Sequence, residues 1–277
     1  SWRVNFQTSI IDIVFDRGEI SVLDQSEPIC EIELEIVSGE ISDLLSLAGL
    51  LFKCIKLRPG IASKAKRGYS LLSKTSKSFT PIDFDSVNYP DDLKYSKQLD
   101  KLATSLVFGV SVYLQQLQRS VDLYMQTNSL HSLLDIVKAL RLLQHGFLLF
   151  SSELAEDFQQ INADLSHFLA LFAWLDNAIY LQELMNKTGN YRKKLDFSKA
   201  LISQLKLEKK RFPDSETIIE ILHSERFNRL QMRLVERVIQ QGSLYCDQQQ
   251  GADDLFSFAK AKLSASLTKL TQSIPQG

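Results

Sequence analysis

The sequence holds 277 residues, 44% hydrophobic and 23% charged, with a net charge of −1. That length buries a large core and leaves room for two domains. The balanced charge gives no bulk attraction to nucleic acid or to an anionic membrane surface, so neither is expected as a partner. Cys30, Cys54 and Cys246 are odd in number and far apart. They match neither a disulfide framework nor metal-ligand spacing, which points to a reducing compartment and a cytoplasmic location. No apolar run reaches the roughly 18 residues of a membrane span. The chain opens at Ser1-Trp2 with neither an initiator Met nor a signal-peptide pattern, so a start inside a longer polypeptide is expected.

Trp2 to Phe6 and Ile10 to Phe15 are β-rich and read as two strands joined by Gln7-Thr8-Ser9. Ile11, Ile13 and Phe15 share one face of the second strand, and Asp12, Val14 and Asp16 the other. Asp16-Arg17-Gly18 is a turn signal. Glu19 to Leu23 continues as strand, and Asp24-Gln25-Ser26-Glu27-Pro28 reads as the next loop. From Cys30 to Ile36 apolar and acidic residues alternate, so Cys30, Ile32, Leu34 and Ile36 face one way and Glu31, Glu33 and Glu35 the other. Alternate carboxylates on such a strand sit about 6.5–7 Å apart and repel, so something cationic should face them. A solvated acidic face and a divalent-cation site are the two readings of this strand alone, since Mg²⁺ prefers carboxylate oxygens and water.

Leu44, Leu47, Leu51 and Ile55 recur at helical spacing, with Ser42 as the expected N-cap. Leu57-Arg58-Pro59-Gly60 ends that helix. It leads to Ala62-Ser63-Lys64-Ala65-Lys66-Arg67-Gly68-Tyr69. Ser73 to Asp92 is polar and long for a loop, and reads as an interdomain linker.

Beyond Lys94 the pattern is helical. Leu99, Leu102, Leu106, Val110, Tyr113, Leu117 and Val121 form the core stripe of a long helix. Asn128-Ser129 opens a second helix, to about Phe150. A third is expected from about Ala155 to Asn186, stopped at Thr188-Gly189-Asn190. Asp196 caps a fourth to Arg211, and Asp214-Ser215 opens a fifth that breaks near His223-Ser224 and runs to Gln240. Ala252 to Gln272 makes the last. Long helices joined by short turns indicate antiparallel bundles.

The order Asp16-x-Gly18, Glu31-x-Glu33, Ser38-Gly39, then Ser63-Lys64-Ala65-Lys66-Arg67-Gly68-Tyr69 resembles the C-terminal half of a CYTH domain. That domain is the triphosphate tunnel fold of thiamine and inorganic triphosphatases and of class IV adenylate cyclases. The chain looks most like the bacterial inorganic triphosphatases that carry a CHAD (conserved-histidine α-helical) domain after the tunnel. The resemblance implies an α+β fold with a partial antiparallel β tunnel over residues 1–73, a linker over 74–93 and an all-α CHAD-like helical bundle over 94–277. It implies Mg²⁺ or Mn²⁺ held by Glu31, Glu33 and Asp16, with Lys64 and Arg67 contacting phosphate and Asp16 and Lys64 in catalytic roles. The implied reaction is hydrolysis of tripolyphosphate or another triphosphate. An adenylate cyclase of the same fold and a non-catalytic, polyphosphate-binding scaffold are the alternatives.

Two departures bear on this. The Glu-x-Glu-x-Lys that opens the family's first strand occurs nowhere in these 277 residues, so these residues alone are expected to be inactive. The helix from Leu134 to His145 lacks the His-x-x-Arg-Val-x-x-Arg-Arg pattern of the histidine domain, and His131, His145, His167 and His223 are scattered. Ser1–Thr75 carries 9 basic and 10 acidic residues, leaving 23 of each from the chain's 32 and 33; the helical part is therefore neutral. Arg226, Arg229, Arg233 and Arg237 nevertheless recur three and four apart on one helical face. They form a candidate polyanion patch, with a solvated face paired to residues such as Glu225 and Glu236 as the alternative.

Overall fold

Alternating residues near the N-terminus build three antiparallel strands, β1 (Trp2–Phe6), β2 (Ser9–Val22) and β3 (Gln25–Ser38), in the order β1-β2-β3. The computed structural model describes residues 1–72, 102–150, 157–190, 198–239 and 255–273. Two-residue turns, Gln7-Thr8 and Leu23-Asp24, join the strands, and Gln7 (φ 53°) and Leu23 (φ 54°) take left-handed backbone there. The turn expected at Asp16-Arg17-Gly18 does not form. β2 passes straight through it, with Asp16 opposite Glu31 and Gly18 opposite Ile29. A continuous antiparallel ladder with β3 pairs this stretch residue for residue, and that outweighs the local preference for a turn. The loop expected over 24–28 shrinks for the same reason. Pro28 pairs with Glu19 inside β3, where an edge strand tolerates the missing N–H.

Helix α1 (Ile41–Cys54) follows a tight corner at Gly39, whose φ is +115°. A Cβ there would lie 2.1 Å from Ser9 Oγ, so only glycine fits. Ser42 is not the cap. The N-cap position falls two residues earlier, at Glu40, without a side-chain cap. Asp43 instead turns back to the first hairpin, accepting from Thr8 N (3.1 Å), Thr8 Oγ1 (2.8 Å) and Ser9 Oγ (2.7 Å). Ser9 Oγ in turn accepts from Glu40 N at 2.8 Å. Chiefly through Ser9 and then Thr8, these bonds hold the Asp43 carboxyl below the usual carboxylate range. A depressed folded-state pKa contributes stability above about pH 4 that is lost as pH falls through the folded value. Asp43→Asn should therefore be less stable than the parent at pH 7, with the gap narrowing by pH 3. Parallel melting curves at both pH values would contradict this assignment.

Helix α2 (Lys64–Leu72) crosses the acidic face of the sheet, with Gly68 close against Ile20. The helical part comprises α3 (Leu102–Thr127), α4 (Leu130–Leu149), α5 (Asp157–Leu171), α6 (Leu175–Asn190), α7 (Ser198–Lys209), α8 (Ser215–Leu222), α9 (Glu225–Ile239) and α10 (Leu255–Ser273). Along the predicted stripe of α3, Leu106, Val110, Leu117 and Val121 are buried and Tyr113 packs against the same core. Leu99, the linker expected over 74–93, the boundary near 94 and the expected cap Asp196 lie outside the described residues. Ser129 caps α4 by accepting from His131 N, and Asp214 caps α8 by accepting from Thr217 N, both as their sequence predicts.

The single long helix expected from Ala155 to Asn186 is two. The break spans Phe172–Trp174, where Ala173 N bonds Ala170 O (3.3 Å) and Leu175 N bonds Phe172 O (3.0 Å), each three residues back. Neither Gly nor Pro marks the spot. Packing decides it: Phe172 and Leu175 are both 1% exposed, and Trp174 stacks on Phe212 at 5.6 Å.

The two parts meet where α1 packs on α9. Asn228, wholly buried, donates through Nδ2 to Leu57 O (2.7 Å) and to His223 O (3.2 Å). Beside it Arg58 forms an ion pair with Asp122 of α3. The segment between α1 and α2 is thus fastened to the helices just before the lysine motif.

Candidate cation and phosphate site

Register on the sheet decides which carboxylates meet. Asp16 lies opposite Glu31 and Val14 opposite Glu33, and alternation puts Asp16, Glu31 and Glu33 on one face. One carboxylate oxygen from each lies within 4.8 Å of the others. Among the described residues this is the one group of three or more His, Cys, Asp or Glu side chains so placed. Asp12, farther along the same face, is taken by Arg3, whose Nε and Nη2 each donate to it at 2.7 Å. That pairing lowers the Asp12 carboxyl. Glu35, opposite Asp12, stays exposed.

Into the cluster comes Lys64, the first residue of α2. Its ammonium pairs with Asp16, with Glu33 at 2.9 Å and with Glu31 at 3.2 Å. The bond to Asp16, followed by that to Glu33, raises its pKa well above the ordinary lysine range. One turn on, Arg67 lies along β3, with Nε to Glu27 (3.0 Å), Nη1 to Glu31 (3.1 Å) and Nη2 to the Pro28 carbonyl (2.8 Å). Four carboxylates thus face two cationic side chains, an excess of two negative charges. Lys64 and the three acids it pairs with are each about one-third exposed, so water and small ions reach them.

The oxygens suit a hard divalent cation. Octahedral Mg²⁺ with bonds of about 2.0–2.1 Å needs oxygens roughly 3–4.2 Å apart, so modest side-chain motion closes the set, with water completing the shell. Glu27 escaped the sequence reading because it was assigned to a loop. Counting back by twos from Glu31 places it on the same face. Arg58, Asp122 and Asn228 carried no local signal.

The arginine ladder on α9 is engaged within the protein. Arg226 Nε and Arg233 Nη1 reach the two oxygens of Asp164 at 2.7 and 2.9 Å, and the Asp164 side chain is 4% exposed. Arg229 Nε pairs with Glu225 at 3.1 Å, and the Arg237 guanidinium lies 5.7 Å above the Phe158 ring. Arg229 and Arg233 also line an open cleft of about 340 Å³ beside Phe6, Ser42 and Ser46. That cleft is separate from the acidic cluster. His223 Nδ1 lies 2.9 Å from the Ile219 carbonyl and His167 sits edge-on to Phe168; the four histidines do not converge.

Fold and site together describe an α+β protein whose antiparallel ribbon gathers carboxylates beneath a helix bearing lysine and arginine. Over 73 residues, 26% of this chain, it is 44% identical to a protein named inorganic triphosphatase from Haemophilus influenzae. Those residues make up 21% of that curated relative, so the chain matches about a fifth of its length. Among solved structures, PptA from Streptomyces chartreusis aligns with a TM-score of 0.45 and 16% identity, covering 63% of this chain and 61% of that one, a likeness too slight to argue from. No family model matches the chain. No helix among the described residues is long and apolar enough to cross a membrane.

Proposed function

We propose that these residues form one side of the active site of a divalent-cation-dependent triphosphatase of the CYTH type, acting on tripolyphosphate or another triphosphate. The observation that carries this reading is the convergence of Asp16, Glu31 and Glu33 on the ammonium of Lys64. Similarity to an inorganic triphosphatase over 73 residues supports it. Asp16, Glu31 and Glu33 would hold Mg²⁺ or Mn²⁺, which when bound offsets charge on phosphate oxygens and on the departing diphosphate. Arg67, tied to Glu27, Glu31 and the Pro28 carbonyl, presents a fixed guanidinium at the rim for a phosphate. Lys64 supplies the second cationic contact. Asp16 accepts a proton as water attacks the terminal phosphorus. The new P–O bond forms as the bond to the diphosphate oxygen breaks, leaving phosphate and diphosphate.

Three strands face a polyanion from one side only, and full enclosure needs further cationic strands. The 277 residues alone are accordingly read as inactive. The helical part is read as the CHAD-like unit and its arginine ladder as a weaker polyphosphate contact, since Arg226 and Arg233 would first have to leave Asp164. The test is tripolyphosphate hydrolysis with and without Mg²⁺, by the 277-residue chain and by the same chain joined to sequence supplying further tunnel strands. Activity is expected only in the longer polypeptide and only with the cation. Turnover by the 277 residues alone would overturn the half-site reading. Inactivity of the longer polypeptide toward every triphosphate would leave the scaffold, and conversion of ATP to a cyclic nucleotide would indicate the cyclase.

A further inference from the structure

As the structure holds it, the Lys64 ammonium is committed to carboxylates, and reaching a phosphate requires it to leave them. An ammonium has three N–H donors, and three carboxylates, those of Asp16, Glu31 and Glu33, lie within ion-pairing distance of it. So held, it donates hydrogen bonds to Asp16 and Glu33 and faces Glu31 at 3.2 Å, so its charge is turned to carboxylates rather than to a phosphate. It is also the first residue of α2, whose first turn carries Lys64, Lys66 and Arg67 and no acidic residue. The positive end of a helix dipole disfavours cations there and favours anions. The same three carboxylates are the oxygen set that suits a divalent cation, and the pairs around them leave two negative charges uncompensated.

We propose that Lys64 is an exchangeable placeholder, holding Asp16, Glu31 and Glu33 together until a divalent cation takes their oxygens, and turning out to the phosphates that arrive with it. The inference rests on the proposed function for the identity of the polyanion; the competition between Lys64 and the cation stands on the geometry alone. Its four-carbon stem is partly exposed and swings without disturbing α2, whose hydrogen bonds begin behind it. Two consequences follow from the shared oxygens. Without a polyanion the cation competes with a covalently tethered ammonium and binds weakly. With one, phosphate oxygens accept the displaced ammonium, so cation and polyanion strengthen each other's binding by the same factor.

The experiment measures Mn²⁺ binding to the 277-residue chain by the electron paramagnetic resonance signal of the free ion, with no turnover required. Lys64→Met is expected to bind Mn²⁺ at least roughly tenfold more tightly than the parent, a change of about 1.4 kcal/mol. Lys66→Met, which removes the same charge from a neighbouring exposed position, should change the affinity much less. Tripolyphosphate should tighten Mn²⁺ binding in the parent by a larger factor than in Lys64→Met, after subtracting Mn²⁺ bound by free tripolyphosphate. Unchanged or weaker Mn²⁺ binding in both Lys64→Met and Lys64→Gln overturns the proposal, as does an equal gain in Lys66→Met. A chain that passes this test while the longer polypeptide hydrolyses no triphosphate keeps the placeholder and loses the triphosphatase.

Discussion

On the proposed triphosphatase reading, Glu33→Gln in the chain joined to further tunnel strands is expected to cut Mg²⁺-dependent tripolyphosphate hydrolysis by at least roughly a hundredfold, about 2.7 kcal/mol of transition-state stabilisation. The amide keeps the shape of the side chain but removes one of three charges from the oxygen set of Asp16, Glu31 and Glu33, and an amide oxygen is a poorer donor to a hard cation. It also removes one of the ion pairs of Lys64. Glu31→Gln should do as much, since Glu31 serves both Lys64 and Arg67. Glu35→Gln, on an exposed residue opposite Asp12, should stay within severalfold of the parent. Full activity in Glu33→Gln would rule out the cation role assigned to this strand. Raising Mg²⁺ should restore part of the loss if the defect is in cation binding.

Phe227→Ala is expected to destabilise the helical part by about 4 kcal/mol, from the lost burial of a phenyl ring plus the cavity it leaves. Phe227 is wholly buried in the hydrophobic core of the helical part and meets Phe168 edge-on at 5.0 Å. For a domain of this size that corresponds to a fall of roughly 10 °C in the melting midpoint. Phe227 and Asn228 are neighbours on α9, so loosening here should also free the Leu57 carbonyl that Asn228 holds. Thermal and urea melts of the variant check the magnitude. A change below about 1 kcal/mol would mean that the core around α9 is packed otherwise than described.

Much of the site could be read from local pattern because its ingredients are local. Period-two alternation through Glu31, Glu33 and Glu35 is a property of one strand, and it put those carboxylates on one face whatever the partner. The N-caps at Ser129 and Asp214 were likewise legible, since a short polar side chain before a helix satisfies backbone N–H groups within three residues. The apolar stripe of α3 needed only the period of the helix. Where a local signal failed, a non-local one had overridden it. Asp16-Arg17-Gly18 has turn chemistry, yet the ladder between β2 and β3 keeps it extended and thereby sets Asp16 opposite Glu31. The break between α5 and α6 has no Gly or Pro, because it exists to bury Phe172 and Leu175.

By itself the sequence determined the acidic alternation, the lysine motif after a short helix, the helical character of the C-terminal part and the neutral overall charge. Each of these follows from residue type and spacing along the chain. Only the tertiary structure decided that Lys64 enters the carboxylate cluster rather than facing out, that Arg67 bridges Glu27 and Glu31, that Asp164 engages Arg226 and Arg233, and that Asn228 grips Leu57. Those pairs lie 31 to 171 residues apart. No rule of spacing reaches that far; only packing the helices and sheet brings such groups into contact.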